Sequence, residues 1–264
     1  TALPIFISPG NHDFFSSRSA YSLTKWSSNV HIFSSPEIAC IPFAGINIYG
    51  AGFVSQELTF SPLRGFHADN NQKSVMLLHA DLNSSDPRYC PITSQEIAAS
   101  GLSYLALGHI HLRTEPQTFG ETICAYPGCP EGRGFDETGE KGCYIVEIGD
   151  SVNVNFLPLR GRRMEIIDIS LTPGHDALSE ISSSLPPDCA QNILKIRLTG
   201  EYAPENLDIV RLENALGGRA FHIEISDLTH PPRNIWSAIG NDSLEGVFLS
   251  LILDKLDSAK DDGE

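Results

Sequence analysis

Three short segments carry residue types that can do chemistry, and each follows directly on an apolar run. Leu3–Ile7 leads into Ser8-Pro9-Gly10-Asn11-His12-Asp13, Ser74–Leu78 into His79-Ala80-Asp81, and Ser103–Leu107 into Gly108-His109-Ile110-His111. Imidazoles combined with carboxamide or carboxylate oxygens suit manganese, iron or zinc. Two such ions roughly 3.5–4 Å apart can clamp the attacking and leaving oxygens of a phosphate ester. Asn11 offers an oxygen ligand, His12 a general acid or phosphate contact, and Asp13 a carboxylate to orient the imidazole. In an extended chain His109 and His111 point the same way, so one turn offers two imidazoles to a shared site. Gly108 lets the backbone bend closely there. The chemistry expected from these residues is metal-assisted attack on a phosphate ester.

The elements that must position them are short strands broken by Gly, Pro, Asn and Ser loops. Strands are expected at Leu3–Ile7, Val30–Phe33, Ile46–Tyr49, Ser74–His79, Ser103–Leu107, Thr122–Tyr126, Cys143–Ile148 and Asn153–Leu157. Runs 3–7, 74–79 and 103–107 are apolar on both faces, as in a sheet covered on both sides. Pro91–Ser100 reads as a helix, with Thr93 and Glu96 as a capping box and Gly101 as its stop. Strands alternating with helices give an α/β layered domain, and in open α/β folds sites gather at the carboxyl ends of strands. All three polar segments would then meet at one edge.

After Arg160–Arg163 the pattern changes to strand Glu165–Leu171, helix Asp176–Leu185, strand Asn192–Leu198, helix Pro204–Leu216 and strand Ala220–Ser226. This is a small α+β unit. Ser243–Leu256 reads as a terminal helix with Leu244, Val247, Phe248, Leu251, Ile252 and Leu256 at helical spacing. Packing on its own protein is the expected role of that stripe, and docking a partner is the alternative. Asp257–Glu264 reads as a solvated tail. The division expected is a core over residues 1–163, a cap over 164–235, and a helix with an acidic tail over 236–264.

At the three polar segments the sequence resembles the calcineurin-like metallophosphoesterases, most closely their SbcD-type DNA-repair exonuclease branch. The run Tyr126-Pro127-Gly128-Cys129-Pro130-Glu131-Gly132-Arg133-Gly134-Phe135-Asp136-Glu137, followed by Gly139-Glu140-Lys141-Gly142, is similar to the segment after the last metal-ligand motif of that branch. The resemblance extends over roughly the first 160 residues. It implies a four-layer α/β sandwich core with a small α+β cap, and two divalent metal ions, manganese in the first place with iron or zinc as alternatives. Asn11, His79 and His109 would hold one ion and His111 the other. His12 would be the catalytic imidazole near the leaving oxygen, oriented by Asp13, with a metal-bridging hydroxide as nucleophile.

The implied function is the DNA exonuclease subunit of a repair complex, partnered by an SMC-like ATPase subunit of the SbcC type, with a homodimer left open and a cytoplasmic location. A small-molecule or nucleotide phosphoesterase of the same fold is one alternative, and a non-catalytic scaffold subunit another. The family's Asp-x-His and Gly-Asp-x-x-Asp motifs do not precede Pro9, and Leu3–Ile7 reads as the interior of a fold. The sequence as it stands is therefore expected to be a truncated core with weak or no metal binding and little activity.

Charge and composition set bounds on this reading. The 264 residues include 18 basic and 33 acidic ones, a net charge of −15, with residues 201–264 contributing −8. Proteins that bind nucleic acid through phosphate neutralisation carry a basic face, so the C-terminal end is not expected to touch DNA. The longest apolar runs, Leu102–Leu107 and Val247–Leu253, fall far short of the roughly 20 residues that span a bilayer, so no membrane partner is expected. Cys40, Cys90, Cys124, Cys129, Cys143 and Cys189 form no C-x-x-C pair and read as reduced thiols. His31, His67, His175, His222 and His230 lack paired spacing and read as non-ligands. Asp81 reads as a turn residue or a support to His79, Trp26 and Trp236 as packing residues, and Arg160, Arg162 and Arg163 as a solvated linker.

Overall fold

The computed structural model describes residues 3–261 apart from 70, 160, 204–206 and 232–237, with side chains described as far as residue 256. Arg160, Trp236, the expected helix start at Pro204 and the end of the tail at 262–264 lie outside the described residues. The chain divides into two compact units, Thr1–Glu165 and Ile166–Glu264.

The first unit contains β1 (Ile5–Ile7), α1 (Ala20–Leu23), β2 (Val30–Ile32), β3 (Ala39–Phe43), β4 (Ile46–Gly50), β5 (Lys73–His79), β6 (Asp81–Leu82), β7 (Pro91–Ile92), α2 (Ser94–Ala99), β8 (Tyr104–Gly108), β9 (Gln117–Phe119), β10 (Thr122–Ala125), β11 (Gly142–Ile148) and β12 (Val152–Pro158). Its centre is a six-stranded sheet in the order β3-β4-β5-β8-β10-β9. The four middle strands are parallel, and the edge strands β3 and β9 run antiparallel to their neighbours. The α/β class expected from the sequence is present in this mixed architecture.

The register of this sheet decides where the polar segments go. β5 lies beside β8 with Val75 opposite Tyr104, Leu77 opposite Ala106 and His79 opposite Gly108. Successive side chains alternate faces, so Ser74, Met76 and Leu78 enter the core while Val75, Leu77 and His79 line the other face. Met76, Leu78, Leu105 and Leu107 pack with Phe53, Leu63, Ile97 and Leu102 in one buried cluster. Each such side chain contributes about 1.5–3 kcal/mol on burial. α2 is held over this cluster by Ile97, and its N-terminus carries the expected capping box between Thr93 and Glu96. Gly101, at φ +67°, ends it. The helix begins later than expected because Pro91 and Ile92 pair instead with Asp81 and Leu82.

Two edge strands were not expected from the sequence. β3 contains Pro42, which removes a ladder donor and is tolerated at a sheet edge, where β3 lies. β9 is only three residues long and too polar for the alternation to show. β1 and β2 form a separate parallel pair, and the segment after β1 is fastened to the chain beyond β4. Phe53 donates its N–H to the Pro9 carbonyl at 3.0 Å, and Phe15 to the Phe53 carbonyl at 2.8 Å. Ser8 Oγ donates to the Ala51 carbonyl at 2.5 Å.

The second unit is α+β. β13 (Met164–Ser170), β14 (Ile193–Thr199) and β15 (His222–Asp227) form a sheet in that order, with α3 (Ala177–Ser184) and α4 (Ile209–Leu216) joining the strands. Asp176 and Asp208 cap the two helices by accepting from Ser179 N–H and Arg211 N–H. Ile181, Leu194, Ile196, Leu198 and Leu216 form its core. α5 (Leu244–Asp261) runs further than the expected Ser243–Leu256, into the segment read as a tail. Leu249 is buried, but Leu244, Val247, Phe248 and Leu251 are exposed, so most of the stripe expected to pack on its own protein faces solvent. Among the described residues no helix is long and apolar enough to cross a membrane. All six cysteines are free thiols.

Candidate metal centre

His79, the last residue of β5, is the hub of the site. Its Nε2 lies 2.8 Å from Asn11 Oδ1 and 3.3 Å from His109 Nδ1. Two glycines leave room for its ring. A Cβ on Gly10 would fall 2.5 Å from His79 Cε1, and one on Gly108 would fall 3.2 Å from Nδ1. Phe53 packs edge-on against the ring at 5.4 Å. Burial in this setting, followed by the neighbouring His109, pushes the His79 pKa down to about 4. The imidazole is thus neutral at pH 7, the form that can hold a metal.

His109 enters from the end of β8 with φ at +110°. A non-glycine residue in that region stores about 1–3 kcal/mol of strain and persists only where its surroundings over-determine it. Here Tyr89 lies over the ring at 5.3 Å, and Asp81 Oδ2 is 3.9 Å from Nε2. Burial lowers the pKa of His109, with Asp81 opposing the shift. Asp81 therefore supports His109, whereas the sequence pointed to His79.

The positive φ removes the extended backbone on which a shared direction for His109 and His111 would depend. Period-two alternation requires extended backbone, and the chain leaves that conformation at His109. His111 turns instead to Glu137, with Nδ1 2.5 Å from Oε1. The Glu137 side chain is 8% exposed. Its Oε2 accepts from Arg133 N–H at 2.9 Å and from Cys129 Sγ at 3.5 Å. These bonds, the Arg133 N–H first and the His111 ring next, hold its carboxyl down at about 2. An ionised carboxylate only accepts, so His111 Nδ1 is the donor to Glu137 and Nε2 is the ring nitrogen left to face a ligand.

Asp13 also has a different task from the expected one. Its Oδ1 accepts from Gly10 N–H at 2.8 Å and its Oδ2 from the Tyr21 hydroxyl, so it braces the loop that carries Asn11. The reason is reach. The Gly10 N–H lies three residues back along a tight turn, within reach of the carboxylate, and His12 is exposed to solvent. Burial and then Asp13 push the Tyr21 hydroxyl pKa up. His12 is exposed, yet it and His111 are close enough for their charges to act on both His79 and His109.

The structure thus brings Asn11, His79 and His109 together, sets His12 and His111 around them, and gives Asp13 to the loop. Among the described residues no group of three or more His, Cys, Asp or Glu side chains forms a complete cation site. The converging set is two imidazoles and a carboxamide. Donors about 2.0–2.2 Å from one cation stand roughly 2.8–3.6 Å from each other at octahedral or tetrahedral angles. The 2.8 and 3.3 Å separations at His79 Nε2 match this, so these residues fit one face of a divalent-cation site. Glu137, Tyr21 and Tyr89 had no role in the sequence reading. Glu137 stands 26 residues from His111, a separation at which no local pattern links them.

One comparison bears on this site. The chain is 32% identical over 155 residues to a protein of Bacillus subtilis (strain 168). That protein is named uncharacterized metallophosphoesterase YhaO. The match covers 55% of this chain and 37% of the relative, so this chain spans little more than a third of the relative's length. No protein-family model matches the chain.

Proposed function

We propose that this chain carries ligand and acid–base residues of a divalent-metal phosphoesterase of the calcineurin-like type. The observation that supports it most is the convergence of Asn11 Oδ1, His79 Nε2 and His109 Nδ1 at the carboxyl ends of parallel strands, with His109 held in a strained conformation. The named relative supports the same reading. Divalent ions, when bound, neutralise the phosphate and lower the pKa of a water. Asn11, His79 and His109 would hold one ion, and His111, fixed by Glu137, would present Nε2 to a second. His12, exposed at the rim, would deliver a proton to the leaving oxygen. Asp13 would keep the Gly10–His12 turn in place while it does so.

The finer reading is hydrolysis of nucleic-acid phosphodiesters, as the exonuclease subunit of a DNA-repair complex with manganese as the metal. The motif order and the Tyr126–Gly142 run support it. The exposed stripe of Leu244, Val247, Phe248 and Leu251 on α5 is the surface we assign to an SMC-like ATPase partner.

Manganese titration followed by NMR tests the metal centre even where affinity is low. Mn²⁺ should broaden the imidazole signals of His79 and His109 before those of His31 or His222, and His79→Ala should abolish the selectivity. Broadening spread evenly over all histidines would refute the centre. For the substrate, affinity for a DNA strand should fall steeply between about 50 and 200 mM salt. Salt-insensitive binding would favour a small phosphoester instead.

A further inference from the structure

Beside His12 lies a cavity of about 400 Å³, within the size range that takes small ligands. Its walls include His12, Asp13, Ser16, Arg18, Tyr21 and Trp26. Trp26, expected from the sequence to be a packing residue, is 39% exposed here. The indole is nonetheless fixed. Its Nε1–H donates to the Tyr21 carbonyl at 3.0 Å, and its ring stacks on the Tyr21 ring at 6.3 Å and 28°. The Tyr21 hydroxyl donates to Asp13, and Asp13 accepts from Gly10 N–H. One chain of contacts therefore ties the indole to the loop that carries Asn11 and His12. Among the described residues the Arg18 guanidinium has no ion pair, although the protein's net charge is −15.

A rigid aromatic surface, a cation and serine hydroxyls select for a flat heterocycle that bears an anion. A neutral sugar could lie on the indole but would leave Arg18 without an anion, and an alkyl chain would match neither. A plain aryl group would leave Arg18 and Ser16 unused. We propose that this cavity is a nucleobase subsite, in which the base attached to the scissile phosphate lies against Trp26 while Arg18 meets its phosphate. This rests on the reading of His12 as the acid at the leaving oxygen, and it names the substrate class of that site as nucleotidyl. The indole is pre-ordered, so stacking gains little of its energy at the expense of new order in the protein.

The test uses metal-free protein, so that it does not depend on turnover. In a Trp236→Phe background Trp26 is the remaining indole. Deoxyadenosine 5′-monophosphate, deoxyribose 5-phosphate and a five-nucleotide single strand are titrated in turn, with indole fluorescence and backbone amide shifts recorded. Saturable quenching by the nucleotide, with the base-less sugar phosphate binding at least about 5-fold more weakly, is expected. Trp26→Leu should weaken nucleotide binding roughly 5- to 150-fold, with Trp26→Phe recovering part of it. Arg18→Ala should weaken the nucleotide and the sugar phosphate alike. A pentamer that binds more tightly than the mononucleotide identifies a strand end as the source of the base, and equal affinity identifies free nucleotide.

Sugar phosphate binding as tightly as the nucleotide would overturn the subsite. So would unaltered nucleotide binding in Trp26→Leu with its amide spectrum intact. A parallel Mn²⁺ titration separates the two claims. Selective broadening at His79 and His109 without base discrimination defeats the subsite alone. Base binding without that broadening defeats the metal centre and the leaving-group role built on it.

Discussion

Replacing Glu137 by glutamine changes one atom and should disturb His111 in a defined way. Glu137 accepts from the His111 ring, the Arg133 N–H and the Cys129 thiol with two oxygens that cannot donate. A carboxamide has one such oxygen. If its NH₂ faces His111, the ring must accept at Nδ1 and carry its proton at Nε2, which removes the lone pair a metal would use. If the NH₂ faces Arg133, two donors oppose each other and a backbone N–H loses its partner, at about 1–3 kcal/mol. The near-complete burial of Glu137 keeps water from repairing either fault, whereas half-exposed His111 can be resolvated. The net cost should therefore be about 1–2 kcal/mol. With a urea slope of about 2 kcal/mol per M, the middle of the usual range, the unfolding midpoint falls by roughly 0.5–1 M. Long-range ¹⁵N NMR reads the tautomer directly, with wild-type His111 protonated at Nδ1. Support residues of this kind typically carry a 10- to 100-fold effect on metal affinity. An unchanged midpoint together with an unchanged tautomer would refute the assignment of Glu137 as the residue that positions His111.

Gly10→Ala should push the His79 ring off Asn11, since the new Cβ would overlap Cε1; it should cost about 1–3 kcal/mol, and a wild-type His79 ¹⁵N spectrum in this variant would contradict the packing described. Tyr126→Phe removes a buried hydroxyl that donates to the Ala80 carbonyl at 2.7 Å and accepts from Leu82 N–H at 3.0 Å. It should cost about 1–3 kcal/mol and speed amide exchange at residues 79–82, which hydrogen-exchange mass spectrometry would detect. The His79 pKa lies near 4 against 6.5 in the unfolded chain. Between those values the unfolded state holds a proton that the folded state lacks. Metal-free protein should therefore lose stability as pH falls from about 6.5 to about 4, by up to about 3 kcal/mol from this residue. His79→Gln should flatten that part of the curve, and parallel urea midpoints across pH for the two proteins would expose a failure.

Much of the local architecture was written in adjacent residues. Thr93 and Glu96 set the start of α2, and Gly101 its end, because capping needs only neighbours three residues apart. The doubly apolar runs marked β5 and β8 as interior strands, and their polar sequels marked the edge where a site would form. His79 and His109 could be nominated from this, since strand ends in a parallel sheet point one way, whereas Asn11 follows β1 in a separate pair and only the packing of its loop brings it to His79. Pro42 and the polar β9 hid the two edge strands, because edge positions relax the rules on which strand patterns depend.

The roles of the remaining residues were decided by the tertiary structure. Asp13 and His12 are adjacent in sequence, yet the carboxylate goes to Gly10 and Tyr21, because a loop bound to Ala51–Phe53 presents those donors. His109, at φ +110°, sits among Tyr89, Asp81 and His79, while His111 two residues on takes Glu137 as its partner. Trp26 faces a cavity and not a core because its indole is anchored on the Tyr21 carbonyl. Sequence alone determines which groups are available, their local helices and strands, and which end of the sheet they occupy, since these follow from short-range sterics and alternation. Which group holds which depends on contacts between residues such as His111 and Glu137, far apart in the chain. Only the packed sheet and its loops bring those together.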